Sequence, residues 1–175
     1  MAIIKDFPEL RQAYEYDCGA NALQSVLVYY GFDIRESQVM KLAKTTKKDG
    51  TTPDNILRAA KRLGLEAQSI APMSLDELKG FLDKGRPVII ALQAWSRKVK
   101  DYIKTWSSGH YVVVVGYDEK KFYFEDPASA NRTYLSHKEL LQRWHDTDNV
   151  NVKYYNLGIV VLGKKKAQVK LEHMG

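Results

Sequence analysis

The chain has 175 residues, a formal net charge of +6, 45% hydrophobic and 27% charged residues. That length suits one domain with a real core, and the balance is that of a globular protein rather than a disordered one. The lone cysteine, Cys18, excludes an internal disulfide and argues against a cysteine-ligated metal site.

In chain order, the first half reads as helices. Asp17 is placed to cap a helix in which Ala22, Leu23, Val26, Leu27 and Tyr30 recur at helical spacing, and Gly31 ends it. A short helix is expected over Glu36–Ala43, followed by a lysine-rich loop at 44–50. Thr52-Pro53-Asp54 opens a third helix with a cap, a proline at its first position and an acid in its first turn. Ser74-Leu75-Asp76-Glu77 is a capping box for a fourth. The second half reads as strands: Pro87–Gln93, Tyr111–Tyr117, Lys121–Asp126 and Leu157–Leu162, with Glu66–Ile70 as an edge strand. Ser136-His137-Lys138-Glu139 opens a short helix to about Trp144. Residues 94–109 and 145–155 are read as loops over the working face. Helices followed by strands predict an α+β fold, one domain over residues 1–163 and a basic tail over 164–175.

Lysines cluster at Lys44, Lys47, Lys48 and Lys164–Lys166. No aromatic interleaving accompanies them, so a solvated surface is expected and no nucleic-acid partner. The longest apolar runs, 112–115 and 87–92, are far short of the ~20 residues that span a bilayer, and the start carries no signal-peptide pattern. No membrane insertion is expected, and the cytoplasm is the default compartment. The four histidines form no ligand spacing, and no glycine-rich phosphate loop is present, so neither a metal nor another cofactor is expected.

Three segments carry chemistry. In Tyr16-Asp17-Cys18-Gly19-Ala20 the cysteine falls in the first turn of a helix, where free N–H groups and the dipole favour an anion and so the nucleophilic thiolate. Gly19 would let a substrate approach the sulfur. Ser108-Gly109-His110 puts a histidine at the mouth of a buried strand. Asp126 ends the following strand. A three-residue turn at Asp118–Lys120 would pair Tyr117 with Lys121 and set Asp126 opposite Val112, on the face that His110 shares, because side chains alternate with period two. A two-residue loop without a bulge would part them. Taken singly, each residue is also compatible with a structural role: a buried thiol, a strand-end histidine, a turn aspartate. Together they are the parts of an activated-thiol site.

At these residues the chain resembles a known family. The stretch Gln12-Ala13-Tyr14-Glu15-Tyr16-Asp17-Cys18-Gly19-Ala20 is similar to the motif of the bacteriocin-processing, double-glycine peptidases, which are papain-like cysteine peptidases. The apolar helix ending Tyr29-Tyr30-Gly31, the run Gly109-His110-Tyr111-Val112-Val113-Val114 and Asp126-Pro127 follow in the family's order, and the likeness spans roughly residues 8–162. It implies a papain-like fold, with Cys18 as nucleophile, His110 as general base, Asp126 orienting the histidine and Gln12 donating to the oxyanion. It further implies a peptide substrate, cut after Gly-Gly in a leader peptide. In the family this domain often precedes a membrane transporter and an ATPase. Here the reading is a free-standing member, with an export transporter as a separate partner. The bulky walls of a glycine-selective groove could come from Tyr14, Tyr16, Trp95, Trp106 and Tyr111. Other thioester chemistry on the same site (amidase, deamidase, acyl or peptidyl transferase) and a catalytically silent peptide-binding module are the alternatives.

Overall fold

A computed structural model describes residues 1–98, 101–148, 151–164 and 173–175. Most of the expected tail therefore lies outside the described residues. The elements are β1 (Ala2–Ile3), α1 (Cys18–Tyr29), α2 (Glu36–Leu42), α3 (Pro53–Arg62), β2 (Glu66–Ile70), α4 (Leu75–Asp83), β3 (Val88–Gln93), β4 (Gly109–Tyr117), β5 (Lys121–Glu125), β6 (Thr133–Ser136), α5 (His137–Arg143), β7 (His145–Thr147), β8 (Lys153–Tyr155) and β9 (Gly158–Leu162). The α+β arrangement is as expected. β2, β9, β3, β4, β5 and β6 form one antiparallel sheet in that order, with β1 joining on β4.

Local chemistry sets the helix boundaries. Thr52 accepts the Asn55 N–H at 3.3 Å ahead of Pro53 at the first helical position. Ser74 and Glu77 close a reciprocal capping box, the Ser74 N–H reaching Glu77 Oε2 at 2.8 Å and the Glu77 N–H reaching Ser74 Oγ at 3.2 Å. Ser136 and Glu139 repeat it on α5. After α1 the chain turns at Gly31 with φ 89°, a conformation that side chains resist.

The core lies where α1 and α4 pack on the central strands. Leu23, Val26 and Leu27 of α1 are fully buried, as are Leu78 of α4, Val88–Ile90 of β3, Val113–Val115 of β4 and Ile159–Val161 of β9. Each such side chain contributes about 1.5–3 kcal/mol through burial. β3 and β4 read as unbroken apolar runs because both faces are covered.

Three departures from the sequence reading bear on the site. Residues 145–155 include a β-hairpin, in which His145 pairs with Tyr155 and Thr147 with Lys153, rather than a bare loop. The 133–136 segment is an edge strand, missed because its four residues carry little apolar signal. The β4–β5 turn is also longer than expected. Tyr117 pairs with Phe122, not Lys121, and Asp118 caps the loop, its Oδ1 accepting the Lys120 N–H at 2.7 Å and the Lys121 N–H at 2.8 Å. The register then shifts by one between Val114 and Gly116.

Candidate active site

That shift decides the geometry. Gly116 faces Tyr123, but Val114 faces Phe124 and Val113 faces Glu125, so Val115 is an extra residue in β4. Its carbonyl accepts the Ile4 N–H at 2.8 Å, so the bulged residue keeps a backbone partner in the N-terminal segment. Continued by one residue, the corrected register sets Asp126 opposite Val112 and on His110's face. Without the bulge, Asp126 would fall opposite Val113 and point away.

His110 and Asp126 meet directly: His110 Nε2 lies 2.7 Å from Asp126 Oδ1, with both side chains buried. Three more donors hold the carboxylate. The Ala128 N–H reaches Oδ1 at 2.9 Å, the Trp95 indole N–H reaches Oδ2 at 3.0 Å and the Thr133 hydroxyl reaches Oδ2 at 3.2 Å. Burial pushes the Asp126 carboxyl up, but the hydrogen bond and charge of His110 outweigh it and hold it below its ordinary range. For His110, burial disfavours the cation, yet Asp126 and Cys18 together lift it to about 9. Since Nε2 is engaged with Asp126, Nδ1 is the nitrogen left for the sulfur.

Cys18 is the first residue of α1, as expected. The first intrahelical bond runs from Asn21 N–H to Asp17 carbonyl at 2.9 Å, so the N–H groups of Cys18, Gly19 and Ala20 precede it. One expectation here is corrected. Asp17 makes no side-chain cap; its buried carboxylate turns back to the Tyr14 N–H, 3.0 Å from Oδ2. It thereby fixes the segment before the cysteine. Gly19 also has a packing reason: a Cβ there would lie 2.9 Å from Thr51 Cβ and 3.0 Å from the Tyr111 ring.

Gln12 lies on the neighbouring segment, tied to the sheet by its N–H to the Pro127 carbonyl at 3.1 Å. Arg11 anchors the same segment to buried Glu125 at 2.9 Å. One donor of the Gln12 amide goes to the Tyr14 carbonyl at 2.6 Å, and Gln12 Oε1 is buried without a hydrogen-bond partner among the described residues. Gln12 lines a shallow groove with Tyr14, Tyr16 and Pro127 that adjoins the Cys18 cavity through Glu15, Tyr16 and Lys47.

The cavity holding Cys18 is about 370 Å³ and is walled by Tyr16, Trp106 and Tyr111. Of the other aromatic residues named from the sequence, Tyr14 stacks on Tyr16 with ring centroids 5.3 Å apart, and Trp95 lies on the Asp126 side, in a separate apolar cavity of about 500 Å³. Sequence reasoning missed three neighbours: Trp95 as a partner of Asp126, and the buried pair Gln93 and Asp146. No motif marks them. Asp146 sits in the hairpin read as a loop, and Gln93 ends an apolar strand. Among the described residues, no group of three His, Cys, Asp or Glu side chains could hold a metal ion, and no helix is long and apolar enough to cross a membrane.

Comparison with known proteins identifies the family. Residues 6–148 match the peptidase C39 family. The chain belongs to that family of cysteine peptidases. It is 32% identical over 134 residues to the pediocin PA-1 transport/processing ATP-binding protein PedD of Pediococcus acidilactici, which covers 76% of this chain but 17% of that protein. Among solved structures it resembles the peptidase domain of Streptococcus ComA, described as a bifunctional ABC transporter of a quorum-sensing pathway. The TM-score is 0.67 at 28% identity, over 90% of this chain and 99% of that one. A double-glycine-motif protease from an AMS/PCAT transporter, solved in complex with the leader peptide, shares the fold at TM-score 0.60 and 21% identity, over 92% of this chain and 97% of that one. The C39 chains thus supply the papain-like fold expected from the sequence.

Proposed function

We propose that this C39 peptidase hydrolyses peptide bonds through a covalent thioester on Cys18, with His110 as general acid and base, Asp126 as the residue that orients it, and Gln12 as an oxyanion donor. The observation that carries the reading is the 2.7 Å contact between His110 Nε2 and Asp126 Oδ1. It leaves Nδ1 for the thiol of a cysteine at a helix start.

The chemistry runs in two halves. The Cys18 sulfur attacks the scissile carbonyl carbon, its proton having passed to His110. The carbonyl oxygen gathers negative charge, which the free N–H groups at the start of α1 and the second N–H of the Gln12 amide stabilise. The C–N bond breaks as His110 returns its proton to the leaving amine. Water then attacks the thioester carbonyl while His110 takes its proton, and the peptide acid leaves as the thiol is restored.

Relatives named for transport and processing, and the fold shared with a leader-peptide complex, support a leader peptide as substrate, cut after Gly-Gly, and an export transporter as partner. The test begins with Cys18 alkylation by iodoacetamide at pH 6, where His110 is protonated. The wild type should react at least about 10-fold faster than His110→Ala. Equal rates would mean that no imidazolium assists the thiol. Gly-Gly peptides then separate cleavage from mere binding by mass spectrometry of the products.

A further inference from the structure

The mechanism leaves unused a buried carboxylate that lines the nucleophile's cavity. Asp146, on β7, is 8% exposed and lines the same cavity as Cys18. Its carboxylate is held in place from behind. Oδ1 accepts the Gln93 amide at 2.9 Å and the Thr147 N–H at 2.8 Å. Gln93 is itself buried and locked, its Oε1 accepting the Ser108 N–H at 2.9 Å and its Nε2 also reaching the His145 carbonyl at 3.1 Å. That network fixes which way the amide points, and so fixes Asp146. Gly109 leaves the space: a Cβ there would sit 2.4 Å from Asp146 Oδ1 and 2.6 Å from Oδ2.

Oδ2 has no hydrogen-bond partner among the described residues, and no Lys, Arg or His forms an ion pair with the carboxylate. The one positive charge that acts on it is that of His110, which makes no ion-pair contact with it, so the cavity side of the carboxylate is open to a cation that arrives with the substrate. The rest of the cavity agrees. Asp148 stands next to it, held by the Tyr154 hydroxyl at 2.9 Å, and with Glu15 and Asp49 the acidic side chains of the lining outnumber Lys47 and Lys48. Trp106 and Tyr111 offer aromatic walls to an aliphatic stem, and Trp106 already carries the Lys153 ammonium 4.6 Å from its ring centre.

We infer that Asp146 is the acidic end of a substrate subsite beside Cys18, one that receives a lysine or arginine side chain of the peptide being cleaved. This rests on the Cys18 chemistry proposed above and adds a substrate class to it: peptides with a basic residue near the scissile bond.

The experiment uses quenched fluorescent peptides built around Gly-Gly, with lysine, norleucine or glutamate walked through the four positions on either side. Norleucine keeps the stem and removes the charge. At one position lysine should exceed norleucine in kcat/KM by about 10–100-fold in the wild type. In Asp146→Asn, which keeps the Oδ1 bonds, that ratio should fall to within about 2-fold. A chain that prefers lysine nowhere, or a preference that survives Asp146→Asn, overturns the subsite. If the wild type cuts none of these peptides, the peptidase reading is what has failed, and the subsite is read by calorimetry on Cys18→Ala. Tighter binding of the lysine peptides, lost in Cys18→Ala with Asp146→Asn, upholds it; equal or undetectable binding overturns it.

Discussion

His110 and Asp126 face each other at 2.7 Å because Val115 is one residue too many for the strand that carries the histidine. The aspartate has four donors in all, so its position survives loss of any single one. Asp126→Asn should therefore leave the fold intact and cut kcat by about 10²–10⁴-fold, through loss of charge and correct tautomer. His110→Ala should cut it further. Stopped-flow or progress-curve kinetics on both variants decides; wild-type kcat in Asp126→Asn removes the carboxylate from the mechanism.

Cys18→Ala should abolish peptide turnover without unfolding the chain. The sulfur is half-buried at a helix start, and alanine fits there with good helix propensity. Circular dichroism and a peptide assay on the same sample separate the two effects. Full activity in a folded variant would end the thioester mechanism.

Gln12 is tied to Tyr14 by one amide proton and has a second to spare. Gln12→Ala should lower kcat by about 10²–10³-fold with little change in KM, as expected of a donor that acts on charge developing in the transition state. A rise in KM alone would recast Gln12 as a ground-state binding residue.

The pH dependence of stability follows from the His110 shift. Its folded value is raised from 6.5 to about 9, so the native state holds the proton more tightly than the unfolded chain. The resulting stabilisation is complete below pH 6.5 and fades as pH rises towards 9. Asp126 is shifted the other way, so its contribution is present above the ordinary carboxylate range and lost on acidification. Thermal melts should show a wild-type advantage over His110→Ala that shrinks between pH 6.5 and 9. A constant difference across that window would contradict the ion-pair description.

Asp146 carries the opposite sign. Burial is the main cause lifting it from 3.8 to about 6, so folding loses stability as pH rises between those values. Asp146→Asn should raise stability at pH 7 by about 1–3 kcal/mol, read from urea unfolding. Destabilisation would mean that the charge of His110 outweighs the cost of burial. A buried group that costs stability beside a nucleophile is the usual pattern of a site kept for function.

Much of this was legible from composition and pattern. The helix caps at Thr52, Ser74 and Ser136 are local chemistry, so their residues announce them. The buried runs of β3, β4 and β9 are equally plain, because strands covered on both faces must be apolar throughout. The order of Cys18, His110 and Asp126 could be read as an activated-thiol set, and the family resemblance added Gln12. Asp17 takes the N-cap position but makes no side-chain cap, because its choice between the helix N–H groups and the Tyr14 N–H depends on the path of the chain before it.

By itself, then, the sequence determined an α+β chain with one thiol at a helix start and its partners on successive strands. Those features follow from residue type and near neighbours. Only the tertiary structure decided that Asp126 reaches His110. Strand parity depends on turn length and on one bulge at Val115, and the bulged residue's carbonyl takes the Ile4 N–H from more than a hundred residues away. The same holds for Asp146, which has no motif and becomes part of the site through a hairpin folded over Gln93 and Gly109. Long-range register and burial are properties of the packed chain, and no short stretch of residues encodes them.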